Sequence, residues 1–272
     1  RLVSDWSSDV CSSDLSVQFP STDGVTIQAW LGVPSGAGPF PAVIDIHGGP
    51  SSGQMNDYSP DAEAWLDHGF AWISVNYRGS TTFGKDFQHA INGRLGDVEV
   101  DDIVAARQFL IEHGIARPEA IFVTGASYGG YLTLQTLGRV PHGWAAGMAD
   151  IAIADWKLMY EDQSESLRGY QVALFGGTPE QKPEAHAFAS PITYAQDYEA
   201  PLLIIQGKND TRCPERQMRF FIEKMRAKEK ELRIHWFEAG HGALKTDERI
   251  EQQEMRMAFA LEILERIEAT QG

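Results

Sequence analysis

From Val25 onward the chain alternates between short apolar runs and longer stretches of helical spacing. Val25-Thr26-Ile27-Gln28-Ala29-Trp30-Leu31 has the period-two alternation of an antiparallel strand, and the Asp23-Gly24 dipeptide before it suits a hairpin. Residues 42–46 and 71–75 are short and mostly apolar, as expected of strands covered on both faces. Residues 121–123, 201–205 and 232–237 are three further predicted strands. Between these runs, residues 61–68, 97–113, 215–228 and 247–267 have helical spacing. In 97–113, Val100, Ile103, Val104, Leu110 and Ile111 share one face, and Gly114 is placed to end the helix. In 247–267, Met255, Phe259, Ile263 and Ile267 recur at every fourth position. This alternation predicts an α/β fold in which a mostly parallel central sheet lies between helical layers.

Composition narrows the class. The 272 residues are 43% apolar and 10% aromatic, which is ample for the core of one large domain or two small ones. No apolar run approaches the roughly 20 residues of a membrane span. A net charge of -15 argues against nucleic acid or an anionic membrane as partner. The cysteines, Cys11 and Cys213, form no disulfide framework. Residues 1–15 carry five serines and three aspartates without helical or alternating period, and they stop where the strand-like Ser16-Val17-Gln18-Phe19 begins. Their part from Asp5 to Leu15 is similar to one reading frame of a common sequencing adapter. We therefore expect residues 1–15 to be an unstructured artefact at a broken gene end and 16–272 to be the folded domain. No secretory pattern opens the chain, which favours a cytoplasmic location, although a broken start makes that absence uninformative.

The stretch around which the rest is organised is Ile121 to Leu134, IFVTGASYGGYLTL. It reads as strand, tight turn and helix, with Gly125 and Gly129 removing the Cβ atoms that would crowd Ser127. A serine on such a bend projects its hydroxyl above the sheet edge. In a mostly parallel sheet chemistry gathers at the carboxyl ends of the strands. Two later segments, Gln206-Gly207-Lys208-Asn209-Asp210 and Glu238-Ala239-Gly240-His241-Gly242, end strands in the same way. Asp210 alone reads as a turn residue and His241 alone as a loop histidine. Together, Ser127, Asp210 and His241 follow the order in which an α/β-hydrolase supplies nucleophile, acid and base. A fourth segment, His47-Gly48-Gly49-Pro50, follows the strand at 42–46, where its glycines allow a backbone amide to approach a developing oxyanion. The amide of Tyr128, after the serine, supplies the other donor.

These segments carry a family resemblance. HGGP at 47–50, NYRGSTTFGKDF at 76–87, GASYGGY at 125–131, LFGGTPEQKPE at 174–184, SPI at 190–192, GKNDTRCP at 207–214 and EAGHG at 238–242 resemble the catalytic domain of the prolyl oligopeptidase family, above all its acylaminoacyl-peptidase-like branch. The resemblance implies an α/β-hydrolase fold, with Ser127 as nucleophile, His241 as general base and Asp210 as the acid that orients it. It implies an oxyanion hole from the Tyr128 and Gly49 amides, since His47 stands where prolyl oligopeptidases proper place a tyrosine. It implies that Arg212 binds a substrate carbonyl and that Cys213, where a valine is usual, lies near the specificity pocket. It also implies an N-terminal β-propeller that is missing from this chain, which would leave a face prone to self-association as a homo-oligomer.

The reaction so implied is hydrolysis of short peptides through an acyl-enzyme, with no cofactor or metal required. There is no His-Glu-x-x-His pattern, and His68, His89, His113 and His186 are scattered and read as structural. Two other readings share the fold: a carboxylesterase with the same triad, and an inactive hydrolase fold serving as a binding module. The intact set of Ser127, Asp210 and His241 speaks against the latter.

Overall fold

The computed structural model describes residues 12–271. The strands are β1 (Ser12–Pro20), β2 (Thr26–Val33), β3 (Phe40–Ile46), β4 (Ala71–Asn76), β5 (Ala116–Ala126), β6 (Ala146–Asp150), β7 (Leu202–Gly207) and β8 (Leu232–Phe237). The helices are α1 (Pro60–Asp67), α2 (Lys85–His89), α3 (Val98–Glu112), α4 (Tyr128–Arg139), α5 (Trp156–Asp162), α6 (Glu165–Phe175), α7 (Pro183–Ala189), α8 (Glu215–Ala227) and α9 (Thr246–Gln271). All eight strands share one sheet in the order β1-β2-β4-β3-β5-β6-β7-β8. The β1–β2 and β2–β4 pairs are antiparallel, and every pair from β4–β3 to β7–β8 is parallel. This is the α/β-hydrolase arrangement, as the alternation of runs predicts.

Side-chain alternation divides the core into two layers. Ile44 and Ile46 of β3, Ile73 and Val75 of β4, and Ile121 and Val123 of β5 face one cluster, together with Ile103 of α3, Leu132 of α4 and Phe221 of α8. Val43, Trp72 and Phe122, the alternate positions of the same strands, face the other, with Trp65 of α1 and Phe259 and Ile263 of α9. A strand buried on both sides cannot show a polar face, so its sequence reads as a continuous apolar run. Among the described residues, no helix is long and apolar enough to cross a membrane.

Besides the short α2 and the early start of β5 at Ala116, the structure departs from the sequence pattern at three places. β1 begins at Ser12, four residues before the predicted Ser16, because the edge of β2 runs on to Val33 and pairs with Ser12 whatever the side chains there. The rest of the segment expected to be unstructured, residues 1–11, lies outside the described residues. β6, AGMAD, has no predicted counterpart. Its small residues look unlike a strand, yet a Cβ at Gly147 would come within 2.2 Å of Leu137 Cδ1 on α4, so close helix packing requires them. Finally, α5, α6 and α7 fill the stretch between β6 and β7, where no element is predicted. They are short, and α5 depends on a local cap in which Asp155 accepts from the amides of Lys157 and Leu158.

Candidate active site

β5 ends at Ala126, α4 begins at Tyr128, and Ser127 between them sits at φ 59° and ψ −119°. That left-handed backbone costs a non-glycine residue roughly 1–3 kcal/mol and persists only where the surroundings dictate it. Here the Ser127 amide donates to the Asp150 carbonyl at 2.9 Å, and the Ser127 carbonyl accepts from Tyr131 N at 2.9 Å. The flanking glycines have no room for a side chain. A Cβ at Gly129 would lie 1.9 Å from the Ile46 carbonyl oxygen, and one at Gly130 would lie 2.6 Å from that of Asp150. The Tyr128 amide opens α4 and so has no carbonyl one turn back to receive it. Its ring is buried, and its hydroxyl donates to Glu99 Oε1 at 2.8 Å.

The loops after β7 and β8 meet over this serine. A Cβ at Gly207 would come within 2.2 Å of the Gly240 carbonyl oxygen, so glycine is what lets the loops approach. Asp210 is buried, and its Oδ1 accepts from the amides of Arg212 and Cys213 at 2.8 and 2.9 Å. Its Oδ2 lies 2.8 Å from His241 Nδ1, and His241 Nε2 lies 3.0 Å from Ser127 Oγ. A carboxylate only accepts, so the imidazole proton sits on Nδ1 and leaves the Nε2 lone pair facing the hydroxyl. The three residues that the sequence singles out are therefore brought into one hydrogen-bonded row.

The HGGP loop flanks the row. A Cβ at Gly48 would sit 3.5 Å from Ser127 Cβ, so this loop abuts the bend itself. His47 Nδ1 lies 2.8 Å from the Gly48 carbonyl, its Nε2 lies 2.8 Å from Ser80 Oγ, and its ring stacks on Tyr77 with centroids 4.4 Å apart. Burial lowers the His47 pKa to about 4, so the ring is neutral near pH 7. Since the Gly48–Gly49 peptide is trans and planar, fixing the Gly48 carbonyl toward the ring aims the Gly49 N–H the opposite way. The sequence marks the glycines of this loop but gives no sign that His47 orients them.

Arg212 and Cys213 part company. The Arg212 side chain is exposed, and its guanidinium has no hydrogen bond or ion pair among the described residues. Cys213 is 2% exposed and belongs to the core beneath the row. Burial, reinforced by the charge of Asp210, pushes its thiol well above the usual range, while Ser127 alongside pulls partly the other way. Glu99, absent from the sequence reading, is fully buried and accepts from the amides of Gly96 and Asp97 at 3.1 and 3.2 Å as well as from Tyr128. In sequence it looks like any acid in the first turn of a helix. The scattered histidines His68, His113 and His186 each place Nδ1 within 2.9 Å of the carbonyl four residues back.

The sequence profile of the prolyl oligopeptidase family matches residues 56–266, most of the chain. The chain belongs to the prolyl oligopeptidase family. This member of the serine peptidases is 30% identical over 240 residues to dipeptidyl aminopeptidase BIII of Pseudoxanthomonas mexicana, an overlap of 83% of this chain and 35% of that protein. It is 28% identical over 205 residues to acylamino-acid-releasing enzyme 2 of Oryza sativa subsp. japonica, covering 72% of this chain and 27% of that one. Among solved structures, a puromycin hydrolase superposes with a TM-score of 0.88 at 26% identity over 93% of this chain and 39% of its own. An acylaminoacyl peptidase in complex with Z-Gly-Gly-Phe-chloromethyl ketone gives 0.84 at 27% identity, covering 90% and 41%. The chain spans about a third of the length of the curated relatives it matches.

Proposed function

We propose that this domain hydrolyses peptide bonds of short peptides, with Ser127 as nucleophile, His241 as general base and Asp210 as its orienting acid. The observation that carries this reading is His241 bridging Ser127 Oγ at 3.0 Å and Asp210 Oδ2 at 2.8 Å. His241 Nε2 takes the Ser127 proton as Oγ bonds to the substrate carbonyl carbon, and the displaced π electrons settle on oxygen. Asp210 holds the imidazolium. The Tyr128 and Gly49 amides receive the oxyanion, a role supported by the unpartnered helix-start position of the first and the fixed orientation of the second. Collapse breaks the C–N bond, His241 gives its proton to the leaving amine, and water then releases the acyl group by the same steps.

The names of the relatives, aminopeptidase and acylamino-acid-releasing enzymes, favour peptides over simple esters as substrates. The exposed Arg212 guanidinium, unpaired among the described residues and two residues past Asp210, supports the same choice by offering a planar donor fork to a substrate carbonyl. One experiment addresses both levels. A fluorophosphonate should label Ser127 alone, and Ser127→Ala should lose on the order of 10⁶-fold in kcat on an aminoacyl amide. Arg212→Lys should lose peptide activity while p-nitrophenyl acetate hydrolysis stays near that of the parent. Activity surviving in Ser127→Ala would sink the mechanism, and equal losses on both substrates would point to an esterase in which Arg212 is structural.

A further inference from the structure

Cys213 lies where the proposed mechanism has no use for a thiol, and two other metal-ligating groups stand beside it. One Asp210 carboxylate oxygen, one His241 ring nitrogen and Cys213 Sγ all lie within 4.8 Å of one another. Carboxylate, imidazole and thiolate are three donor types that Zn²⁺ takes together, with bonds of roughly 2.0–2.3 Å. Donors spread over 4.8 Å need only a modest inward movement to meet those lengths around one ion. The arrangement is also braced from outside: the amides of Arg212 and Cys213 hold Asp210 Oδ1, which orients the carboxylate and the cysteine on one turn. Asp210 and Cys213 are buried while the His241 side chain is 16% exposed, so an ion can enter from the side of the histidine loop. That loop can yield, because Gly242 at φ 105° has no atom within 4 Å of its Cβ position.

We propose that Asp210, Cys213 and His241 form an inhibitory site for a thiophilic divalent cation, Zn²⁺, with solvent water in the fourth position. On binding, the Cys213 S–H bond breaks, its proton leaves to solvent and the sulfur lone pair bonds to the ion. The bound ion also takes an Asp210 oxygen and a His241 nitrogen that the proton relay uses. Binding depends on the residues alone, and the inhibition it causes rests on the reading of Ser127, His241 and Asp210 as the catalytic set.

The test is a zinc titration followed by calorimetry on the Ser127→Ala chain and by hydrolysis of an aminoacyl amide on the parent chain. Cobalt, added in zinc's place, reports a thiolate ligand through near-ultraviolet charge-transfer absorption. We expect one ion per chain, the cobalt-thiolate band, a zinc-induced rise in Tm, and loss of hydrolysis that follows occupancy and reverses with chelator. Cys213→Val, which preserves apolar packing, and Cys213→Ser, which preserves shape, should each raise the zinc concentration for half-occupancy by roughly 100-fold, at the upper end of what losing even an indirect partner costs. Each variant is compared with its own zinc-free rate. Unchanged zinc affinity in both variants, absence of the cobalt-thiolate band, or full hydrolysis at saturating zinc would overturn the proposal. A chain that binds zinc through Cys213 yet hydrolyses nothing without it would refute the peptidase reading and leave the metal site standing.

Discussion

The two halves of the candidate site are held in opposite ways. On the serine side backbone packs on backbone: Gly125, Gly129 and Gly130 each have a carbonyl or peptide carbon within 2.6 Å of where a Cβ would stand. On the histidine side the loop is clamped only as far as Gly240, whose carbonyl packs against Gly207, and past His241 little encloses it. Gly242 has open space around it, Leu244 is 88% exposed, and the His241 ring is fixed chiefly by its bonds to Asp210 and Ser127. The contrast teaches where precision is needed. A nucleophile must meet its carbonyl and the oxyanion donors together, and misplacement by 1 Å costs about 10²-fold. A base need only follow the proton, and one well-placed carboxylate suffices to aim it.

The sharpest way to break this comparison is to place one methyl group on each side. Gly129→Ala would put a Cβ 1.9 Å from the Ile46 carbonyl oxygen, so the start of α4 must shift by about an ångström and carry Ser127 with it. We expect roughly 100-fold or greater loss of kcat together with overpacking destabilisation of about 3 kcal/mol. Gly242→Ala meets nothing and suffers only its left-handed φ, which costs about 1 kcal/mol, so its rate should fall no more than several-fold. Steady-state kinetics and thermal melts on the pair decide the matter. Equal losses of activity would mean that the histidine loop is as constrained as the bend.

A second substitution sharpens the comparison within the serine half. If His47 aims the Gly49 amide by holding the Gly48 carbonyl, His47→Phe should keep the stack on Tyr77 and lose the aim. Removing an oxyanion donor outright costs about 10²–10³ in kcat, so misaligning one should cost on the order of 10- to 100-fold, with KM little changed. Since burial keeps His47 neutral, with a pKa of about 4, no pH dependence between 6 and 8 should come from it. A rise in KM with kcat intact would assign His47 to substrate binding instead.

Much of this arrangement is legible in the sequence, and what is not has a physical reason. Ser127 and Asp210 can be read because each follows an unmistakable apolar run, His241 because it follows the alternating Leu232–Phe237, and all three because glycines mark the close approaches. The strand β6 is hidden because tight packing on α4 demands Ala and Gly, the residues that least resemble a strand. The start of β1 at Ser12 is set by the partner edge of β2, which local pattern does not contain. The depth of Cys213 is hidden for a related reason: the turn after Asp210 directs its side chain into the core, which local pattern does not contain. Glu99 is invisible because only the tertiary fold distinguishes a buried acid from an exposed one on the first turn of a helix.

Glu99 supplies the prediction with the smallest expected effect on rate, and it probes what lies beneath the clamped half. Burial is the main cause that raises its carboxyl from an ordinary 4.5 to about 7, against the pull of the hydrogen bonds it accepts, those from the backbone and from Tyr128 among them. The folded chain thus binds a proton at this site that the unfolded chain has already released between pH 4.5 and 7. Stability contributed here is complete below the unfolded value and declines as pH rises through the folded one. The gap corresponds to on the order of 3 kcal/mol. Glu99→Gln removes the titration while its amide oxygen still accepts from Tyr128 and Gly96, so the variant should gain on the parent by about 2–3 kcal/mol between pH 5 and pH 8. Comparing the two proteins cancels the contributions of other carboxylates such as Asp45, which burial raises to about 6. Chemical denaturation of both at the two pH values measures the difference. Parallel stability profiles would show that Glu99 titrates alike in the folded and unfolded chains, and that the support under Tyr128 carries no electrostatic cost.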